Sequence, residues 1–385
     1  MKVFVKSCAP RTACALAIVL AICAPGAWPS VMAQIAGQTE GAVKVARLYE
    51  TELIVRTVKN LRDHAEVISF LDMAARHGVA LINLAVKQDE DDEVPSGAVF
   101  YASNLAPRAK GYHTFDALRD TIAEAHRRGI KVRAWVPQFH DQMAVRKNPV
   151  WQMHVYIDGH AVPFRGTKGG EYFVNPLNPD VQTYERSIVA EIVGNYDVDG
   201  IVLDWLRFDD YPMDAGPDTQ ARFKEAFGYD PGGIDFSTDN ERRRQWNDWR
   251  SARIGDYVKS VRQAIDELKP GLPLGVYMLP PAFIEVGQDA ARFSRSVSFL
   301  SPMAYFRDWG FPPGWVYRDV LPGTLLKANG TPVIPVFDTD WADADYREIL
   351  PNVRRDFPSI TRLSWFVYGE WTETILERIG MLRSW

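Results

Sequence analysis

Strand-like and helix-like patterns alternate along this chain, and that repetition restricts its fold more than any single motif. Eight stretches read as strands: "LIVRTVK" (53–59), "ALINLAVK" (80–87), "IKVRAWVPQF" (130–139), "DGIVLDWLRF" (199–208), "LPLGVYML" (272–279), "FLSPMAYF" (299–306), "TPVIPVFD" (331–338) and "ITRLSWFVY" (360–368). Helical periodicity falls between them. It is clearest over 115–128, where Phe115, Leu118, Ile122 and Ala125 recur at three and four, Thr114 can cap the start and Gly129 ends the run. A second helix begins after Asn178, with Pro179 at its first position and Asp180 at the positive end of its dipole. A third covers 243–268, and 372–382 closes the chain. Strand followed by helix, eight times over, is the pattern of a parallel (β/α)8 TIM barrel. The runner-up, an open doubly wound sheet, ordinarily carries a glycine-rich phosphate turn after its first strand, and "VKNLRDHAEV" has none. The long connections 140–178 and 209–240 then extend the mouth of the barrel, and Asp158-Gly159 suits a tight hairpin turn inside the first of them.

Residues 1–33 read as a secretory signal peptide. Lys2, Lys6 and Arg11 precede a short apolar run from Ala13 to Ala24, and Val31 and Ala33 sit before a cut at Gln34. About 12 apolar residues are too few to span a bilayer. Ile22, just before Cys23, fits a lipid-attachment signal poorly. The expected location is therefore periplasmic or secreted. Residues 34–50 form a polar lead, and one catalytic domain is expected over 51–385. All three cysteines lie in the leader, so the exported chain relies on core burial rather than disulfides. The net charge is −5, and removal of the leader's three cations makes it −8. An acidic chain argues against nucleic acid as a partner. Twelve tryptophans suit a large core, a carbohydrate site, or both. HExxH and GxSxG motifs are missing, and no cofactor or metal is implied.

Side chains alternate along a strand. In "DGIVLDWLRF", Val202, Asp204 and Leu206 share one face, and Ile201, Leu203 and Trp205 the other. Asp199 stands at the beginning of the strand, the end of a barrel that serves its stability, and is expected to tie a turn. Asp204 stands at the C-terminal end, where barrel active sites lie. Other strands also end in polar or aromatic groups: Lys87, His140, Tyr277, Tyr305, Asp338 with Asp340, and Tyr368 with Glu370 and Trp371. "DEDDE" (89–93) reads as a solvated acidic loop, with a weaker hint of a cationic amino-sugar ligand.

Several stretches, in order, resemble the glycosyl-hydrolase-like ten family of exported bacterial barrels. They are "INLAVK" with "VFYASNLAP", "FDALRDTIAEAHRRGIKVRAWV", "NPVWQMH", "FVNPLNPDVQTYERSIVAEIVGNYDVDGIVLDWLRF", "FKEAFGYDP", "WNDWRSARIGDYVKSVRQAIDELKP" and "LSPMAYFRDW". The resemblance implies cleavage of a glycosidic bond in an envelope or extracellular polysaccharide or oligosaccharide. Chitinase-type barrels also run Asp-Gly to an inward acid on this strand, but Leu206 stands where they carry a proton-donating glutamate.

Most glycosidases place two carboxylates across the scissile bond. Asp204 is expected to be one. Its partner is expected to be Glu370, favoured by the aromatics around it, or Asp338, with Asp340 behind. Trp205, Tyr305, Trp309 and Trp371 are candidate sugar platforms; Lys87, His140, Arg207 and Tyr277 are candidate substrate-binding groups. Two other readings stand beside this one: a polysaccharide-binding barrel without catalysis, and a metal-dependent hydrolase built on His140, Asp141 and an acid cluster.

Overall fold

The computed structural model describes residues 49–166 and 170–383. The expected signal peptide, residues 1–33 with the three cysteines, lies outside the described residues. Eight parallel strands form one sheet: β1 (Glu50–Val55), β2 (Leu81–Ala85), β3 (Lys131–Pro137), β4 (Gly200–Asp204), β5 (Leu274–Met278), β6 (Phe299–Pro302), β7 (Val336–Asp338) and β8 (Arg362–Phe366). Each pairs with its sequence neighbour from β1 to β6, β8 returns to β1, and β7 pairs with β8. Isolated parallel bridges Leu300↔Val333 and Met303↔Val336 bring the two sheet edges together, so the sheet closes as a TIM barrel. The structure starts β1 at Glu50 and ends it at Val55; residues 57–60 turn into a short helix.

Two apolar layers follow from strand alternation. Ile54, Ala85, Trp135, Val202, Tyr277, Phe299, Val336 and Phe366 fill the barrel interior. Their neighbours Leu53, Leu84, Ala134, Ile201, Leu203, Val276, Leu300 and Trp365 face the surrounding helices. The lower interior is polar and compensated: Arg133 lies 2.8 Å from Glu52 and its guanidinium rests 4.3 Å from the Phe299 ring centroid. Gly275 is required here, because a Cβ at that position would meet the Phe299 ring.

The helix at Pro179–Asn195 starts as its sequence dictates, with Asn178 Oδ1 accepting from the Asp180 amide at 2.8 Å. The helix expected at 115–128 occupies Ala117–Arg127, and its cap is Asp116 rather than Thr114, through a bond from the Arg119 amide. A carboxylate two residues nearer the first turn reaches the free amides that Thr114 cannot. The 140–178 connection contains the hairpin His154–Ile157 with His160–Pro163, turning through Asp158 and Gly159 at φ of 51° and 78°. Two positive φ values give the turn the hand that matches strand twist. Among the described residues, no helix is long and apolar enough to cross a membrane.

Candidate active site

A cleft of about 620 Å³ opens at the C-terminal mouth of the barrel. β4 delivers Asp204 to its floor. The carboxylate stands opposite Pro137 of β3, and Trp135, two residues earlier on the inner face, donates Nε1–H to Asp204 Oδ2 at 3.0 Å. The Trp205 amide donates to Oδ1 at 2.7 Å. Burial outweighs these two bonds, and with the nearby Asp89 charge it pushes the Asp204 pKa up to about 6.

Trp205 departs from the expected alternation. Its φ is +52°, in the left-handed region that a bulky side chain rarely adopts. The strand therefore ends at Asp204, and the next side chain does not simply take the opposite face. Trp205 lines the cleft, with its ring 4.4 Å beneath the Arg207 guanidinium, while Leu206 is fully buried in the helix-facing core. The Leu206 side chain is thus not among the cleft-lining groups. Such local strain collects at functional sites.

The second surprise is the "DEDDE" segment, which is solvated only at Asp92 and Glu93. Asp89, Glu90, Asp91 and Asp92 form a wall of the cleft. Arg56, buried at the end of β1, holds it: its Nη2 lies 3.1 Å from Asp89 and 3.0 Å from Asp92. Tyr368 donates its hydroxyl to Glu90 at 2.8 Å. Asp91 accepts from the amides of Ser96 and Tyr172 and lies 3.2 Å from His140 Nε2. Burial works against the Asp91 charge, but His140 and Ser96 hold its pKa below the usual carboxylate value. His140 stacks on Phe173 at 4.7 Å and meets Trp205 at 4.6 Å. A charge run looks solvated in sequence; one buried arginine supplied by another strand turned it inward. The only sequence sign of that was Arg56 closing an apolar strand.

Tyr277, Tyr305 and Trp309 also line the cleft, as do Arg207 and Glu171. Arg207 is buried and lies 2.6 Å from Asp209. Tyr305 and Trp309 contact each other at 5.8 Å, forming an aromatic side opposite in character to the acidic wall.

Five expected site residues lie outside the cleft lining. Glu370 is exposed on the outside, 3.6 Å from Arg62, because the chain turns out of the mouth after Tyr368. Trp371 is buried in the outer core, where its Nε1–H bonds the Ile54 carbonyl at 3.0 Å. Asp340 is exposed, with its amide bonded to Asp338 Oδ1. Lys87 is buried completely, 2.8 Å from Asp141 and 2.7 Å from Glu185, and its Nζ also donates to the Gln138 carbonyl. Asp141 therefore points away from His140 into this core cluster, which separates the pair a metal-dependent reading needs. Among the described residues, no group of three His, Cys, Asp or Glu side chains is arranged to hold a metal ion. Asp338 shares the inner face of β7 with Val336 but is not among the cleft-lining residues. Burial, Asp340 and Asp308 push its pKa to about 7. Asp199 ties the lower end of β4, accepting from the Val132 amide at 2.8 Å and lying 2.8 Å from His126 Nε2.

Comparison with known proteins places this geometry in a lineage. The chain is 26% identical to glycosyl hydrolase DigH of Escherichia coli (strain K12) over 219 residues, 54% of this chain and 46% of that protein. It is 23% identical to glycosyl hydrolase YngK of Bacillus subtilis (strain 168) over 226 residues, 55% of this chain and 39% of that protein. The chain thus spans about half the length, or less, of these curated relatives. The glycoside hydrolase domain of PgaB (BpsB) from Bordetella bronchiseptica superposes with a TM-score of 0.66 at 16% identity, over 83% of this chain and 94% of that one. An α-L-fucosidase isoenzyme 2 from Paenibacillus thiaminolyticus gives a TM-score of 0.58 at 16% identity, over 88% and 49%. These likenesses establish the shared barrel. The sequence pattern of the family described as Glycosyl hydrolase-like 10 matches residues 63–294, and the chain belongs to that family.

Proposed function

We propose that this protein is an exported glycoside hydrolase that cleaves a glycosidic bond in an envelope or extracellular polysaccharide. The observation that carries the reading is Asp204: a buried carboxyl with a pKa of about 6, on the floor of an aromatic-lined cleft, facing a wall of further carboxylates. A carboxyl raised to this range stays protonated in mildly acidic solution and can give its proton to a leaving glycosidic oxygen. The second carboxylate is assigned to Asp89. It is buried, lines the same cleft, is held by Arg56 and lies near enough for its charge to disfavour ionisation of Asp204. Like-charge proximity of this kind separates two acids into a donor and an ionised base or nucleophile. Trp135 and the Trp205 amide fix the donor's orientation. Trp205, Tyr305 and Trp309 offer apolar faces for sugar rings.

The test is release of reducing ends from a panel of bacterial envelope and extracellular glycans. The full chain is compared with Asp204→Asn and Asp89→Asn. Loss of cleavage in both variants with an unchanged circular dichroism spectrum supports the assignment. Asp204→Asn cleaving a substrate as fast as the parent would sink it.

A further inference from the structure

The charges in the cleft do not balance, and the imbalance is built in. Eight carboxylates line it against two arginines. Arg207 is paired with Asp209, and Arg307 reaches away to Asp345 at 2.5 Å. Arg56 serves Asp89 and Asp92 from behind the wall. Glu90 and Glu171 carry no ion pair among the described residues. Burial raises the pKa of both, with the Asp89 charge adding to the effect at Glu90. A carboxyl in that condition lacks a cation that a ligand can bring.

One further polar atom beside the cleft is unpartnered. His140 Nδ1, on a side chain 2% exposed, has no hydrogen-bond partner among the described residues, whereas the Tyr277 hydroxyl is buried toward Ser364 and Glu52 in the barrel interior. Buried polar atoms are ordinarily satisfied. The aromatic side at Tyr305 and Trp309 supplies faces for pyranose rings. An apolar face suits a sugar ring, and the acidic wall suits a sugar that is positively charged.

We infer that Glu90 and Glu171, which line the cleft near His140, form an ammonium-recognising face, and that the glycan taken by this cleft carries unacylated amino sugars. This rests on the glycan-cleaving reading of the site but concerns what binds, not whether a bond is cut. An ammonium beside Glu90 or Glu171 favours their ionised forms. A uronate at the same place is repelled, and an N-acetyl group offers no charge to either.

Binding is measured by titration calorimetry on the full chain at low salt. The probes are glucosamine hexaose, N-acetylglucosamine hexaose and an oligogalacturonate of similar length. The glucosamine oligomer is expected to bind at least about tenfold more tightly than its N-acetylated counterpart, with the gap narrowing as salt is raised. Glu90→Gln and Glu171→Gln, each confirmed folded by its thermal melt, are each expected to lose several-fold in affinity for the glucosamine oligomer. Equal or weaker binding of the glucosamine oligomer, or preference for the galacturonate, overturns the inference. Reducing-end release is recorded alongside. Amine preference without cleavage leaves the ammonium face standing and removes hydrolysis. Cleavage of a glycan with no amine preference does the reverse.

Discussion

Asp199 and Asp204 bracket one strand, five positions apart, and differ in almost everything that matters chemically. Asp199 sits at the closed end, partly exposed, bonded to the Val132 amide and His126. Asp204 is at the open end, with no ion pair among the described residues and a pKa raised to about 6. A third case lies behind the mouth. Asp141 and Glu185 are buried as deeply as Asp204, but Lys87 stands between them. Burial alone therefore does not mark a working acid in this protein. What distinguishes Asp204, the proposed acid, is burial without an ion pair among the described residues, next to open space. The Lys87 cluster is burial with compensation, and Asp199 is a tie at the barrel's lower rim.

The sharpest way to break this comparison is kinetic. Asp204→Asn is expected to lower kcat for glycan cleavage by about 10³-fold, within the range for removal of a general acid. Asp199→Asn is expected to stay within about threefold of the parent. Equal losses in the two variants would erase the distinction between the strand's ends.

Next in size is Lys87→Met, which leaves two carboxyls buried around an apolar chain. Urea unfolding is expected to show a loss of about 3–5 kcal/mol. Burial already raises Glu185 well above its ordinary value even with Lys87 present. Adding Asp141→Asn and Glu185→Gln is expected to recover most of the loss. A loss near zero in the single variant would mean that the cluster is not held by charge.

The third test uses pH. An acid whose folded pKa is raised contributes stability that is full below its unfolded value and is lost as pH rises through the folded one. For Asp204 that window runs from about 4 to about 6. The stability of Asp204→Asn relative to the parent is therefore expected to improve by up to about 3 kcal/mol between about pH 4 and about pH 7.5. In the same range, cleavage by the parent is expected to decline as pH climbs past about 6, because the donor loses its proton. Activity rising through that point would make Asp204 the base instead.

The smallest effect is expected at the lower rim. Asp199→Ala removes a bond to the Val132 amide, and a stability loss of about 1 kcal/mol is expected, read from the thermal midpoint. A much larger loss would give Asp199 a part in holding the barrel closed.

The sequence determined the alternation of strands and helices, the inward face of Val202 and Asp204, the hairpin at Asp158-Gly159 and the Asn178 cap. Each is written in a few adjacent residues, so local geometry suffices to read it. Tertiary structure alone decided which acids meet. Arg56 and "DEDDE" are separated by two helices and a strand, yet their ion pairs turn an apparent solvent loop into a wall of the cleft. Glu370 is two residues beyond Tyr368, yet it leaves the mouth for Arg62. The left-handed turn at Trp205 sent Leu206 into the core, where strand periodicity had it facing the substrate. Local pattern fixes which way a side chain points while the strand lasts. Where the strand ends, the direction belongs to the charges and rings that the rest of the barrel brings to that place.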